Sequence, residues 1–187
     1  MKKLIFFLLI SVCARAQQAG LRAGINVSNL TSTSFSASTG YYAAFMGHLV
    51  NKRFYSLQPE IGWIRLGAKG QVSGYNGATS SEIVADYAFL NLMNKFSFHP
   101  VFGILVGPGF EQEMSNSPYL RKQSSMTVNL GMAFSFPGGF GVEARVRRGI
   151  RDLYDGKQAQ ITESNLFPFG EHSFLSFQAG LFYKFSK

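Results

Sequence analysis

The strongest constraint in this sequence is a two-residue alternation of apolar and polar side chains that recurs along most of the chain. The clearest example is the segment Phe140–Gly149. Its small apolar set and its charged set are Val142, Ala144 and Val146, and Glu143, Arg145 and Arg147. A period of two places successive side chains on opposite faces of a β-strand. The pattern therefore predicts strands that separate two unlike environments.

Four segments alternate clearly, and four others complete a set of eight predicted strands. In chain order these are Gly20–Ser28, Gly40–Val50, Phe54–Leu66, Ile83–Lys95, Val101–Glu113, Thr127–Phe134, Phe140–Gly149 and Leu175–Phe185. Strands of about ten residues are long enough to cross a bilayer at a tilt. The segment Ile83–Lys95 has no cleanly polar face, so its direction is not assigned, and Phe182 is the exception in the last strand.

The connections alternate between short and long, which is a second and independent signal. The short ones are Asn51–Arg53, Ser97–Pro100 and Pro137–Gly139, and the long polar ones are Asn29–Thr39, Gly67–Glu82, Met114–Gln123 and Asp152–His172. Outer-membrane barrels have short periplasmic turns and longer extracellular loops. An even number of strands then places both termini on the periplasmic side.

These patterns predict an all-β fold, an eight-stranded antiparallel up-and-down transmembrane β-barrel. Charged residues are only 15% of the chain, below the roughly 25% of ordinary soluble domains. Within a bilayer only helices and closed barrels satisfy every backbone polar group. Eight strands leave an interior just wide enough for side chains, so we expect a filled lumen and not a pore.

The inward faces carry a predicted lumen charge network. It comprises Arg22, Glu60, Glu143, Arg145, Arg147 and Lys184, with Glu111 and Glu113 completing four bases against four acids. Such charges are tolerable in a barrel only if they are paired. We favour a structural role over the alternatives of an anion site or a conduction path. No catalytic, cofactor-binding or metal site is predicted.

The first sixteen residues predict a cleaved secretory signal peptide, with the barrel domain at residues 17–187. Lys2 and Lys3 precede an apolar run from Leu4 to Val12, and Ala14–Ala16 forms a small-residue cleavage site. A lipoprotein signal ending at Cys13 is the alternative. Cleavage removes the single cysteine and leaves 15 basic against 10 acidic residues, a net charge of +5. Nucleic acid is not an expected partner of such an exported chain.

Aromatic residues near the predicted strand ends indicate the girdles with which barrels meet the membrane interface. They are Tyr41, Tyr42, Tyr55, Trp63, Tyr87, Phe140, Tyr183 and Phe185. A ligand-stacking platform is the alternative interpretation. Phe185, two residues from the end, also resembles the aromatic end that the barrel-insertion machinery recognises.

Three segments resemble the PorT-like outer-membrane β-barrel family. They are Gly24–Leu30, the run Phe54–Glu60 with Gly67–Lys69, and Pro100–Gly103 with Gly107–Gly109. The resemblance covers nearly the whole mature chain and implies an eight-stranded barrel in the cell outer membrane of a Gram-negative bacterium. The founding member of that family is linked to protein secretion. Asn91 departs from the family, which often has proline there, and this leaves the register of the fourth strand open.

We expect a non-enzymatic barrel in contact with outer-membrane lipid. Its extracellular loops would serve surface interaction, envelope structure or secretion support, with an extracellular or secretion-system protein as partner. One alternative is a barrel-embedded acyl hydrolase or transferase, because Glu171, His172 and Ser173 cluster at the outer rim. The other histidines, His48 and His99, are expected elsewhere. A second alternative is a soluble periplasmic barrel that binds an apolar ligand, which would require the apolar faces to point inward.

Overall fold

The computed structural model describes residues 18–31, 36–74, 77–115, 124–150 and 173–185, which form one antiparallel sheet. Its strands are β1 Gln18–Leu30, β2 Ser36–His48, β3 Tyr55–Gly74, β4 Gly77–Ser97, β5 Phe102–Glu113, β6 Ser124–Ser135, β7 Phe140–Gly149 and β8 Phe174–Lys184. A two-residue segment, Val50–Asn51, continues β2 along β3. The predicted signal peptide, residues 1–16, lies outside the described residues.

The sheet closes on itself, which confirms the predicted eight-stranded antiparallel barrel. Each strand pairs with the next in sequence, and β1 closes the ring by pairing with β8 from Gly20↔Lys184 to Leu30↔Phe174. Closure removes the free strand edges that an open sheet of this size would expose. No helix in the described ranges is long and apolar enough to cross a membrane.

The connection predicted as a loop at Gly67–Glu82 is instead a long β-hairpin. Strands β3 and β4 stay paired without interruption from Tyr55↔Phe96 to Gly74↔Gly77. The loop prediction followed the glycine-rich and polar composition of this stretch. A two-stranded ribbon is held by backbone hydrogen bonds, and these do not require an apolar face. The continuous pairing also settles the register at Asn91, which lies opposite Glu60.

Pro59 lies beside the break at the turn end of the second barrel strand. Pro59 of β3 has no N–H to donate, and the β2–β3 register changes by one residue between Met46↔Glu60 and Val50↔Leu57. Proline in a sheet is confined to such irregular positions because it interrupts the ladder of hydrogen bonds. The backbone is paired again by the bond from the Leu49 N–H to the Leu57 carbonyl, 3.0 Å.

The three short turns lie at the same end of the barrel as Gln18 and Lys184, as predicted; we call this the turn end, and the opposite end the loop end. The turn before β7 is a short 3₁₀ segment, Pro137–Gly139. Gly138 and Gly139 have φ of 83° and 86°, a backbone conformation that disfavours residues with a Cβ. The predicted loop at 152–172 and most of 114–123 lie outside the described residues.

Apolar side chains cover the outside of the barrel, and polar and charged ones fill the inside. Outward residues such as Phe45 and Leu181 are 64% and 65% exposed, whereas inward Arg145 is 3% exposed. A soluble barrel with an apolar lumen would have the reverse arrangement, so that alternative is wrong.

Strand β4 explains why its direction could not be assigned from sequence. Its inward face mixes large apolar with polar side chains: Tyr87, Phe89, Asn91, Met93 and Lys95. A mixed inward face produces no clean alternation, because the outward face of the same strand is also largely apolar.

Candidate functional site

Four charged side chains meet at the centre of the lumen. Arg22 comes from β1, Glu60 from β3, and Glu143 and Arg145 from β7, all at inward positions of their strands. Each of the four is at most 6% exposed. Two-residue alternation points these four side chains inward from different walls of the barrel, and they lie at similar heights along its axis. We call them the central cluster.

The central cluster is electrically balanced and tightly bonded. Arg145 donates to both oxygens of Glu60, from Nη1 to Oε2 at 2.8 Å and from Nη2 to Oε1 at 2.7 Å. Its Nη2 also donates to Glu143 Oε2 at 2.8 Å. Arg22 contacts the same two acids, with Nη1 2.7 Å from Glu60 and Nε 2.7 Å from Glu143. Two positive and two negative charges therefore form a closed ring.

Neutral side chains add further hydrogen bonds to this ring. Arg22 donates to the Gln178 oxygen at 3.0 Å, and the Asn91 amide donates to Glu60 at 3.2 Å. The Tyr42 hydroxyl donates to Glu143 at 3.3 Å. Buried ions are retained without large penalty only where such extra bonds satisfy their remaining atoms. The sequence did not indicate that Asn91 and Tyr42 would take part.

Arg147 belongs to a second ion pair, nearer the loop end. Its Nη2 donates to Glu111 on β5, and its guanidinium carbon lies 5.1 Å from the ring centroid of Phe89. The neighbouring wall is apolar and includes Ile64, Leu66 and Tyr87. This ion pair is buried together with apolar side chains in this part of the lumen.

Lys184, predicted to belong to the charge network, does not join it. Among the described residues no carboxylate forms an ion pair with Lys184. Its Nζ lies 5.6 Å from the centroid of Phe182, and the Nζ of Lys95 lies 5.8 Å from the same ring. Two ammonium groups therefore share one aromatic ring at the turn end. The prediction matched four inward bases with four inward acids by number alone. The acids that balance Lys184 in that count lie further from the turn end than Lys184 does.

A polar cavity of about 310 Å³ opens at this position, and we call it the turn-end pocket. Its lining residues are His48, Lys52, Arg53, Ser56, Gln58, Lys95, Ser97, Pro100, Ser135 and Lys184. Sequence reasoning missed it because its basic residues come from separate strands and turns. The available signal was that three of them, Lys52, Arg53 and Lys95, lie in or next to predicted short turns.

The histidines do not converge on a catalytic or metal site within the described part of the chain. His48 is buried at the end of β2, and His99 is exposed in the turn between β4 and β5. Glu171 and His172 lie outside the described residues, and Ser173 is buried with its N–H bonded to Thr31 Oγ1 at 3.2 Å. No group of three or more His, Cys, Asp and Glu in the described residues is placed to hold a metal ion.

Outward aromatic residues mark both ends of the apolar belt. Near the loop end, the rings of Tyr41 and Trp63 lie 5.1 Å apart. Near the turn end, the paired rings are Tyr55 with Phe96, Phe102 with Phe134, Phe140 with Tyr183, and Tyr183 with Phe185. Such bands are typical of barrel surfaces at a membrane interface.

Tyr42 and Tyr87 were predicted for the girdles, and this is wrong. Both side chains point into the lumen and are buried. The backbone makes room for Tyr42, since a Cβ at Gly24 or Gly180 would collide with its hydroxyl. A tyrosine at a strand end is weak evidence for a girdle by itself, because its position in the two-residue alternation determines whether it faces outward or inward.

The fold and its inside-out side chains define a class, the small eight-stranded barrels with an apolar exterior. Among solved structures the chain is similar to the outer membrane protein OprG from Pseudomonas aeruginosa, with a TM-score of 0.55 and 12% identity over 92% of this chain and 98% of that one. It also aligns with Ail, the attachment invasion locus protein of Yersinia pestis, at a TM-score of 0.49 and 11% identity over 90% and 98% of the two chains. No protein-family model and no curated protein matches the sequence.

Proposed function

We propose that this chain is an integral outer-membrane protein whose barrel is closed by its own side chains and whose function is carried at the loop end. The observation that carries the proposal is the inside-out distribution of side chains. Surfaces as apolar as this belt are rare on soluble monomers and mark contact with lipid or protein. The partners we infer are outer-membrane lipid and, during biogenesis, the barrel-insertion machinery.

The closed lumen favours a role in surface interaction, envelope structure or secretion support over one in transport. The central cluster and the pair Arg147–Glu111 occupy the middle of the barrel. Moving an ion or solute past them requires breaking buried ion pairs, and each such break is costly.

The β3–β4 hairpin is the described part that reaches furthest from the barrel. Its last five backbone pairs, Gly70↔Ser81 to Gly74↔Gly77, lie beyond the last β2–β3 pair, Ser36↔Lys69. They also lie beyond Tyr87↔Glu113, where the β4–β5 ladder begins. We propose that this hairpin presents the surface on which an extracellular or secretion-system protein acts. A PorT-like link to secretion belongs to the same proposal.

The first experiment tests membrane integration. The protein is expressed with its native leader in a Gram-negative host, and the outer membrane is extracted with detergent. We expect the protein in that fraction only, with a faster gel mobility before heating than after. Recovery of folded protein from the detergent-free soluble fraction would contradict the proposal.

The second experiment tests the closed lumen. Purified barrel is inserted into planar bilayers, and conductance is compared with that of a Glu60→Ala variant, which leaves two buried arginines without a shared acid. We expect no steady conductance from the wild-type barrel. Steady wild-type channels of uniform size would show that the lumen is open and that transport is the function.

A further inference from the structure

We propose that the turn-end pocket binds a phosphate group. The pocket combines four basic side chains with one buried histidine, and none of its lining residues is acidic. This inference goes beyond the proposed function, because the pocket lies within the end of the barrel and does not depend on the surrounding membrane.

Lys95 is the main reason to infer a ligand. It is 6% exposed, its Nζ donates to Ser135 Oγ at 3.2 Å, and it has no carboxylate partner among the described residues. Lys184 lies close enough to interact with it electrostatically. Burying an ammonium group beside a second one is unfavourable, and a bound anion offsets that cost. The shared ring of Phe182 offsets this only in part.

His48 supplies an independent observation. It is 1% exposed, and its Nε2 has no hydrogen-bond partner within the described part of the chain. Its Nδ1 lies 2.9 Å from Ser56 Oγ, and that same oxygen accepts a bond from the Gln58 amide at 3.4 Å. When the Ser56 hydroxyl donates its hydrogen to Nδ1, the ring proton lies on Nε2. In that tautomer, which is part of the proposal, the unpartnered Nε2 is a buried N–H donor of a residue that lines the pocket.

The chemistry of these groups selects the ligand. His48, Lys95 and Lys184 come from β2, β4 and β8, and all three line one cavity, where we infer that their N–H groups are the donors. A metal ion is disfavoured by the positive charge. A tetrahedral phosphate accepts bonds from several directions and carries up to two negative charges, which matches donors on three walls. The volume of about 310 Å³ is at the lower end of small-molecule sites, roughly 300–1,000 Å³, so a small phosphorylated solute or a lipid headgroup fits.

The test measures phosphate binding to the full-length barrel in an uncharged detergent. Titration calorimetry compares inorganic phosphate with sodium chloride at equal ionic strength, and the ¹⁵N signals of the His48 ring report contact directly. We expect saturable phosphate binding that shifts the Nε2 signal. Each loss of a charged donor, in Lys95→Gln or Lys184→Gln, should weaken binding about tenfold.

Two control variants separate this site from general charge attraction. Lys69→Gln removes an exposed charge at the opposite end and should leave phosphate binding unchanged. Lys95→Arg keeps the charge and should retain most of the binding. Heat-dependent gel mobility verifies that each variant is a folded barrel, independently of any ligand.

The source of the phosphate is decided by a second titrant, dihexanoyl phosphatidic acid. Binding of inorganic phosphate with the predicted lysine dependence supports a soluble phosphorylated ligand. Binding of the lipid alone, with the same dependence, supports a headgroup. If neither titrant binds, or if Lys69→Gln weakens binding as much as Lys95→Gln does, the proposal is overturned.

Discussion

The lumen contains two charged regions that differ in whether their basic side chains are paired with acidic ones. In the central cluster, Arg22 and Arg145 are matched by Glu60 and Glu143 at 2.7–2.8 Å. In the turn-end pocket, Lys95 and Lys184 have no acid between them among the described residues. Both regions face the same lumen of the same barrel. Buried charges are therefore neutralised by partners in one region of this lumen and not in the other.

The difference indicates which region serves the fold and which is available for a ligand. A balanced cluster of mutually bonded ions holds the walls together and has little to gain from a further ion. An unbalanced cluster costs stability in the free protein and is retained where an anion compensates it. Such a site is a functional candidate because its electrostatics are unfavourable without the ligand.

The largest expected effect is from Glu60→Gln. This change removes the acid that both arginines share, so two buried guanidinium groups lose their strongest partner. We expect a loss of about 3–5 kcal/mol in the free energy of unfolding, as for other broken buried ion pairs. Urea unfolding of the barrel in lipid vesicles measures it. A loss below about 1 kcal/mol would mean that the cluster behaves like a surface pair.

A smaller loss is expected when one acid and one base leave the cluster together. In Glu143→Gln with Arg145→Met, the pair Arg22–Glu60 remains at 2.7 Å and no net charge is left. The double variant should be more stable than the sum of the two single variants predicts, by roughly 0.5–3 kcal/mol. The same urea experiment on the four proteins of this cycle gives the coupling. Strict additivity would contradict the closed ring of charges.

In the turn-end pocket, loss of a charged side chain is expected to raise the free energy of unfolding, whereas in the central cluster it lowers it. Lys95→Gln removes one of two interacting ammonium groups, so in phosphate-free buffer we expect the barrel to become more stable, by on the order of 1 kcal/mol at low salt. The gain should shrink as salt is added, because the repulsion is screened. Lys69→Gln, which removes an exposed charge at the other end, is the matched control. If Lys95→Gln destabilises the barrel, the pocket is a structural element and not an unfilled site.

The sequence predicted the fold well because alternation is a local property of each strand. Phe140–Gly149 was predicted with the observed bounds, and its inward Glu143, Arg145 and Arg147 are buried as the period of two requires. The β3–β4 hairpin was missed since a ribbon held by backbone bonds carries no apolar signal. Tyr42 and Tyr87 were misplaced because residue type was given more weight than position in the alternation.

The pairing of charges could be predicted only in part. Alternation shows which residues face inward, but their height along the axis depends on strand tilt and register, which a sequence does not state. Arg22 and Glu60 meet because they lie at similar distances from the turn end, as the fifth residue of β1 and the sixth residue of β3. Lys184 lies at the last residue of β8 and is therefore out of reach of the acids that balance it by count.

The smallest expected effect concerns an ion pair outside the lumen. Arg65 donates from Nε and Nη2 to the two oxygens of Asp86 at 2.9 and 3.0 Å, a two-pronged contact like that between Arg145 and Glu60 and only slightly longer. The Arg65 and Asp86 side chains are 38% and 25% exposed, so water solvates both ions. We therefore expect Asp86→Asn to cost about 1 kcal/mol or less in the free energy of unfolding, against several for Glu60→Gln. Both variants change a carboxylate to an amide, and both carboxylates bond an arginine through two oxygens. The ratio of the two losses in stability therefore measures the effect of burial. If the two substitutions cost the same free energy of unfolding, burial does not determine how much an ion pair of this barrel contributes to stability.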